Sequence, residues 1–275
     1  MASIAETIAA AAARISSDSA RLDAELLLAR VLDVERSYFF TWPDKQLSPS
    51  QLESFDALLA RRIDGEPVAH ILGQRGFWNL QLAVDPSTLI PRPDTETLVA
   101  TALDLLPNEP LDLIDVGTGT GAIGLALKSE RPEWRIYAAD ASPMACHLAQ
   151  RNAADNQLDM PVFCGDWLHA VADASMDVVV SNPPYIDAED PHLDEGDVRF
   201  EPRSALVAAA HGLADLRHIA EHSSRVLRSG GWLIMEHGYD QHSAVQSMLI
   251  KLGYHRVQSV RDFGGHWRIT LGVWR

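Results

Sequence analysis

The sequence predicts an α/β fold in which a seven-stranded, mostly parallel sheet is covered by helices and preceded by a small helical domain. Three observations predict it. From residue 111 onward, short apolar runs alternate with stretches of helical periodicity, the pattern of strands buried on both faces. Before residue 74 the periodicity is helical throughout. Between the two, the period changes at Trp78, Leu80, Leu82 and Val84, which alternate with Asn79, Gln81 and Ala83 as a half-buried strand does.

The elements follow in order. Residues 21–32 place Leu22, Leu26, Ala29, Val31 and Leu32 at helical intervals, with Asp18 or Ser19 as cap. A second helix begins at Ser48, which has Pro49 at the first helical position and Gln51 completing a capping box. Leu52, Phe55, Leu59 and Ile63 form its apolar stripe, and Gly65 with Pro67 ends it. These define an N-terminal helical domain over 1–73, with the role of partner docking. A β-hairpin linker spans 74–90, and the second domain spans 91–275. Pro86, Pro91 and Pro93 stiffen the entry to it, and Asp94 is the expected cap of a helix over 95–106. Strands are expected at 111–116, 135–139, 161–164, 177–181, 232–236, 255–260 and 268–273. Helices are expected at 122–129, 143–154, 213–227 and 241–252. The last two strands have no helix between them and should pair antiparallel.

Composition narrows the function classes. With 275 residues, 47% hydrophobic and 22% charged, the chain has the make-up of a soluble globular protein. A net charge of −15 argues against binding nucleic acid through a broad basic surface. Cys146 and Cys164 are too few for a disulfide framework. The alanine-rich start lacks the plan of a signal peptide, and no run of about 20 apolar residues predicts a membrane span. The expected location is cytoplasmic.

Asp115-Val116-Gly117-Thr118-Gly119-Thr120-Gly121 follows the first sheet strand and opens a helix. Glycines there allow a tight turn and bring a ligand against bare backbone. About 20 residues later Asp140 ends the next strand, where an acid can bind both hydroxyls of a ribose. Gly119, Gly121 and Gly124 also satisfy the dinucleotide pattern G-x-G-x-x-G, so a nicotinamide enzyme competes. Two features weigh against it: Asp115 would face a pyrophosphate but suits a cationic ligand, and the tetrapeptide after the fourth strand serves no dinucleotide. Asp166 and Trp167 end the third strand, where an acid and an indole can hold an adenine.

That tetrapeptide is Asn182-Pro183-Pro184-Tyr185. A nitrogen whose lone pair is delocalised is a poor nucleophile, so a site that alkylates it must orient it and accept its N–H hydrogens. Asn182 offers a side-chain carbonyl oxygen. Pro183 and Pro184 have no N–H, which frees the Pro183 carbonyl for the site, and Tyr185 can lie flat on a planar group.

The loop, Asp140 and the tetrapeptide together resemble a class I S-adenosylmethionine-dependent methyltransferase acting on a planar nitrogen. DNA adenine-amino methyltransferases and protein glutamine methyltransferases share such a tetrapeptide. The stretches 89–96 (Leu-Ile-Pro-Arg-Pro-Asp-Thr-Glu) and 191–202, the helical N-terminus and the hairpin resemble the release factor glutamine methyltransferase family over nearly the whole chain. The resemblance implies a class I methyltransferase (Rossmann-like) fold. It also implies S-adenosyl-L-methionine as cofactor, and methylation of the amide nitrogen of the glutamine in the Gly-Gly-Gln loop of class 1 peptide release factors. It assigns Gly117, Thr118, Gly119, Thr120, Gly121, Asp140, Trp167 and Asn182 to the cofactor. Asn182, Pro183, Pro184 and Tyr185 go to the glutamine, with Asn182, Pro183 and Tyr185 catalytic. The alternatives are a ribosomal-protein glutamine methyltransferase and a DNA adenine methyltransferase; Val198-Arg199-Phe200 before Glu201-Pro202 fits the release-factor branch better.

Four further groups have open roles. Arg92 and Glu96 are candidates for shaping the cofactor entrance, and Glu236-His237 for bordering the pocket. The acidic stretch 187–197 is a candidate lid. His218 and His222 stand four apart, which is metal spacing, but without a third ligand in sight they read as a solvated helix face and no metal is expected.

Overall fold

A computed structural model describes residues 2–275; Met1, where the expected N-terminal domain begins, lies outside the described residues. The chain divides into two compact units, one of Met1–Gln74 with Pro191–Phe200 and one of Arg75–Asp190 with Glu201–Arg275.

The first unit is helical: α1 (Ile4–Ala12), α2 (Ala20–Leu32), α3 (Ser37–Thr41), α4 (Pro49–Ile63) and α5 (Val68–Leu72). Two capping boxes start helices here. Ser3 and Glu6 close one at α1, and Ser48 and Gln51 close the expected one at α4. Ser19 stands at the N-cap of α2 but makes no side-chain cap, since its hydroxyl donates to Asp23 Oδ1 instead (2.8 Å). The buried face of α2 differs from the expected stripe. Ala24, Leu27 and Leu28 are buried, while Leu22 is exposed. The run Leu26-Leu27-Leu28 leaves the face ambiguous in sequence, and the choice is made by packing on Ile4, Phe55 and Leu59. On α4, Arg62 is buried where Ile63 was expected, because it forms ion pairs with Asp23 and Asp197, both at 2.9 Å. Asp197 belongs to Pro191–Phe200, so this stretch of the expected lid packs as short 3₁₀ turns within the helical unit.

A two-stranded hairpin, β1 (Gln74–Phe77) and β2 (Leu80–Ala83), lies in the second unit apart from Gln74. Trp78, expected in a strand, is its turn (φ 56°), fixed by Trp78 N–H donating to Glu96 Oε1 and by the indole N–H donating to Glu130 (2.9 and 2.7 Å). Glu96 is thus an anchor for the hairpin. A 3₁₀ turn, Pro93–Thr95, precedes α6 (Glu96–Leu105). Thr95, not Asp94, is the residue before that helix, and Asp94 pairs with Arg268 at 3.3 Å.

The remaining elements are β3 (Asp112–Val116), α7 (Ala122–Glu130), β4 (Arg135–Asp140), α8 (Pro143–Asp155), β5 (Val162–Cys164) and β6 (Met176–Ser181). They continue with the single turn α9 (Ala209–Gly212), α10 (Ala214–Val226), β7 (Leu227–Glu236), α11 (His242–Leu252), β8 (His255–Arg261) and β9 (Trp267–Val273). Among the described residues the sheet has seven strands in the order β5-β4-β3-β6-β7-β9-β8. β9 runs antiparallel between β7 and β8, as the missing crossover helix requires. Apolar clusters cover both faces, one around Leu113, Leu125 and Trp134 and the other around Ile114, Ile219 and Leu233. Strand order reverses between β3 and β6, and in such sheets a crevice opens at the C-terminal strand ends. Val116 and Ser181 are register partners there, tied by Ser181 Oγ donating to the Val116 carbonyl (2.6 Å). The next residues are Gly117 and Asn182, so topology alone sets the glycine loop beside the tetrapeptide. No helix among the described residues is long and apolar enough to cross a membrane.

Candidate active site

The glycine loop is shaped from beneath. Asp115, 1% exposed, accepts from Thr118 Oγ1–H (2.7 Å) and from Gly124 N–H (3.0 Å) through Oδ2. Gly124 permits that approach, since a Cβ there would lie 2.6 Å from Met160 Sδ and 3.3 Å from Asp115 Oδ2. Burial raises the Asp115 carboxyl to about 6, against the pull of those two donors. The expected role of Asp115 as a counter-charge for a cationic ligand does not hold: it braces the loop and is absent from the cavity wall. Above it, Gly117 and Thr118 N–H both donate to the Ala139 carbonyl, at 2.9 and 3.0 Å. Gly119, at φ 55°, donates N–H to Asp140 Oδ2 (3.0 Å), and Asp140 Oδ1 accepts from Ser142 N–H (2.9 Å). Asp140 is thereby locked in place at the end of β4. A carboxylate has about four acceptor sites, so it keeps capacity for two hydroxyls of a ligand.

An open cavity of about 1100 Å³, counting its mouth, lies over these strand ends. Gly117, Thr118, Gly119, Thr120, Asp140, Trp167, Asn182 and Pro184, all candidates from the sequence, line it. Gly121, Pro183 and Tyr185 do not. Gly121 is the residue before α7 and packs on Leu125 and Ala149. Asp166, expected beside Trp167, is exposed and turns to His169 (3.4 Å). Among the wall residues that sequence reasoning missed are Thr88, Thr95, Ser204 and Asp215. They come from distant parts of the chain, and of the four only Thr95 stands between the candidates Arg92 and Glu96. Arg92 is on the wall and pairs with buried Glu201 at 2.5 Å, which ties the stretch before α6 to the segment after the 3₁₀ turn Val198–Phe200.

The tetrapeptide divides its work. Asn182 Nδ2–H donates to Thr95 Oγ1 (3.2 Å). Its carbonyl oxygen Oδ1 is buried and has no hydrogen-bond partner among the described residues, an arrangement that is costly unless a donor arrives. Pro184 stands on the wall and Pro183 is buried beneath it. Tyr185 does not present its ring to the cavity; its hydroxyl donates to Glu236 Oε1 (3.2 Å), and its carbonyl accepts from Gln241 Nε2 (2.9 Å). Glu236, 1% exposed, is raised to about 7 by burial, partly offset by Thr95, Arg268 and Tyr185. Burial and the Glu236 charge push the Tyr185 phenol upward too. Neither Glu236 nor His237 reaches the wall; His237 bonds Thr270 Oγ1 (2.7 Å) in the core, where burial lowers it to about 4.

Residues 6–73 match the family model described as the PrmC N-terminal domain, and residues 95–197 match the methyltransferase small domain. The release factor glutamine methyltransferase of Vibrio cholerae is 53% identical over 261 residues, which cover 94% of this chain and 91% of that protein. The Escherichia coli protein of the same name is 52% identical over 258 residues, covering 94% and 93%. A methyltransferase from Pyrococcus furiosus has a similar fold, with a TM-score of 0.55 at 18% identity over 78% of this chain and 95% of that one.

Proposed function

The chain belongs to the release factor glutamine methyltransferase family, and from that premise we propose how its cavity carries out the reaction. The protein methylates the side-chain amide nitrogen of the glutamine in the Gly-Gly-Gln loop of a class 1 peptide release factor. The cofactor is S-adenosyl-L-methionine, which supplies an electrophilic methyl on a sulfonium. The cavity's donor set fits it. Asp140, locked by Gly119 and Ser142, takes the ribose hydroxyls; the Trp167 ring gives the adenine a flat face; and the loop 117–120 lets the ligand lie against backbone.

Asn182 Oδ1 is the observation that carries the reading. It is a buried acceptor without a partner, held by the Thr95 hydroxyl on the wall of the cavity that Asp140 and Trp167 share. An amide N–H is the donor it lacks. Asn182 Oδ1 and the Pro183 carbonyl each accept one hydrogen of the glutamine amide. This turns the nitrogen lone pair toward the methyl and spreads the positive charge that grows on nitrogen as the bond forms. The proton then leaves to solvent. Tyr185 acts by position, since its bond to Glu236 fixes the turn that carries Asn182. The helical domain docks the release factor, and the reaction belongs to the cytoplasm. Neither a membrane nor direct nucleic-acid binding enters the scheme.

Recombinant release factor incubated with the enzyme and S-adenosylmethionine tests this. The expected gain is one CH₂, confined to the Gly-Gly-Gln peptide in a tryptic map. A protein that binds the cofactor yet leaves that peptide unchanged contradicts the substrate assignment, and transfer to a ribosomal protein instead redirects it.

A further inference from the structure

Three imidazoles meet outside the cavity. His218 and His222 lie one turn apart on α10, with ring centroids 4.1 Å apart. His169 comes from the loop after β5, with its ring 4.9 Å from that of His222 and 5.7 Å from that of His218. One ring nitrogen of each lies within 4.8 Å of the other two. The sequence offered only the pair on the helix; the third ring is brought in by the chain's return across the sheet.

The outer bonds of the trio are those of metal ligands. His169 Nδ1–H donates to the Asp166 carbonyl (2.8 Å), and His222 Nδ1–H donates to the His218 carbonyl (2.9 Å). Each bond fixes the tautomer and leaves Nε2 with a bare lone pair, as backbone carbonyls do for imidazoles that hold a metal. His218 Nε2 is buried and has no hydrogen-bond partner among the described residues. A core histidine would have its ring nitrogens satisfied, and a solvated one would have them in water; His218 has neither at Nε2.

We propose that His169, His218 and His222 form a site for a divalent transition ion of the zinc class, with solvent at the fourth position. Nitrogen donors select this class over magnesium or calcium, which require oxygen. Tetrahedral zinc with nitrogen ligands at about 2.0–2.1 Å places its donors about 3.3 Å apart. With its nitrogens within 4.8 Å of one another, the trio closes by at most about 1.5 Å, through rotation of the three side chains. The ion would join the loop 165–169 to α10. Both supply the cavity wall, through Gly165 and Trp167 on one side and Asp215 on the other, and the Trp167 ring is 6.2 Å from that of His218. An ion here pins one side of that wall.

The test uses full-length protein without a histidine tag, stripped by chelator and dialysed against Co²⁺ or Zn²⁺. The expected result is one equivalent bound at micromolar metal, with the visible absorption of four-coordinate Co²⁺. His169→Gln and His222→Gln should each weaken binding about 10-fold or more, with melting curves in chelator unchanged. Cu²⁺ on the wild-type protein supplies a readout that needs no substitution: electron paramagnetic resonance should show hyperfine coupling to three nitrogens. Absence of stoichiometric binding, equal binding by the variants, or coupling to a single nitrogen each overturns the site.

Discussion

The glycine loop and the tetrapeptide occupy neighbouring strand ends, yet they differ in the polar groups they bring to the cavity wall: Asp140 comes with both oxygens bonded, Asn182 with its oxygen unpartnered. In the loop, Asp115 Oδ2 and both Asp140 oxygens accept from Gly124, Gly119 and Ser142 N–H and the Thr118 hydroxyl, while Asp115 Oδ1 is buried without a hydrogen-bond partner among the described residues, away from the cavity wall. In the tetrapeptide, Asn182 bonds Thr95 through nitrogen and leaves its oxygen buried without a partner. The first region is a cradle whose shape is set before any ligand enters. The second holds a buried acceptor on the cavity wall, which the proposed reaction pairs with the substrate amide. In the proposed reaction cofactor binding falls to the first region and nitrogen activation to the second, so substitutions in each should fail in different ways.

The sharpest break comes from Asn182→Ala. Removing the acceptor should lower kcat about 10³-fold, by analogy with loss of one oriented group at a developing charge, while affinity for S-adenosylhomocysteine changes far less. Equal losses of affinity and turnover would merge the two regions into one.

Glu236→Gln tests the support beneath the tetrapeptide through pH. In the native protein Glu236 ionises at about 7, against 4.5 as its ordinary value. Between those limits the unfolded chain has given up a proton that the native protein keeps, so stability falls as pH rises. Asp115, raised to about 6, adds to this fall, whereas His237, lowered to about 4, acts the other way and loses stability as pH drops below 6.5. The wild-type minus variant difference isolates Glu236. Denaturant melts from pH 4 to pH 8 should show Glu236→Gln gaining on the order of 2–3 kcal/mol relative to wild type across the window. A flat difference removes Glu236 as a neutral buried acid.

In the loop, Gly124→Ala should cost about 1–3 kcal/mol, since its Cβ would meet Met160 Sδ at 2.6 Å and crowd Asp115. Loss of stability with little change in the kcat of the folded fraction is the expected outcome in melts and assays. Asp140→Asn should be mildest, weakening S-adenosylhomocysteine about 10-fold in calorimetry and leaving kcat at saturation near wild type. A larger effect on kcat than on affinity would place Asp140 in the chemistry.

What was legible in the sequence follows from how local its cause is. The strands of the sheet show because each is a short apolar run, and β3 is buried at all five positions. The capping box at Ser48 shows because its partners are three residues apart. The place of Asp115 at a strand end is plain in sequence, but the turn of the loop that buries its side chain beneath Thr118 and Gly124 is set by the fold. The tetrapeptide reads as one unit in sequence, which puts Tyr185 with the substrate, whereas its hydroxyl bonds Glu236, 51 residues away. Thr95 and His169 gain meaning only from partners far along the chain: Asn182, 87 residues on, and the helix α10. Single sequences carry no sign of such pairings.

In the proposed reaction Asn182 Oδ1 receives the amide about to be methylated. A crystal structure of the protein with S-adenosylhomocysteine and a Gly-Gly-Gln peptide tests it most directly. The glutamine Nε2 should lie within hydrogen-bond distance of Asn182 Oδ1, with Asn182 Nδ2 still on Thr95. A glutamine amide bound elsewhere, with Oδ1 turned to Thr95, would contradict it.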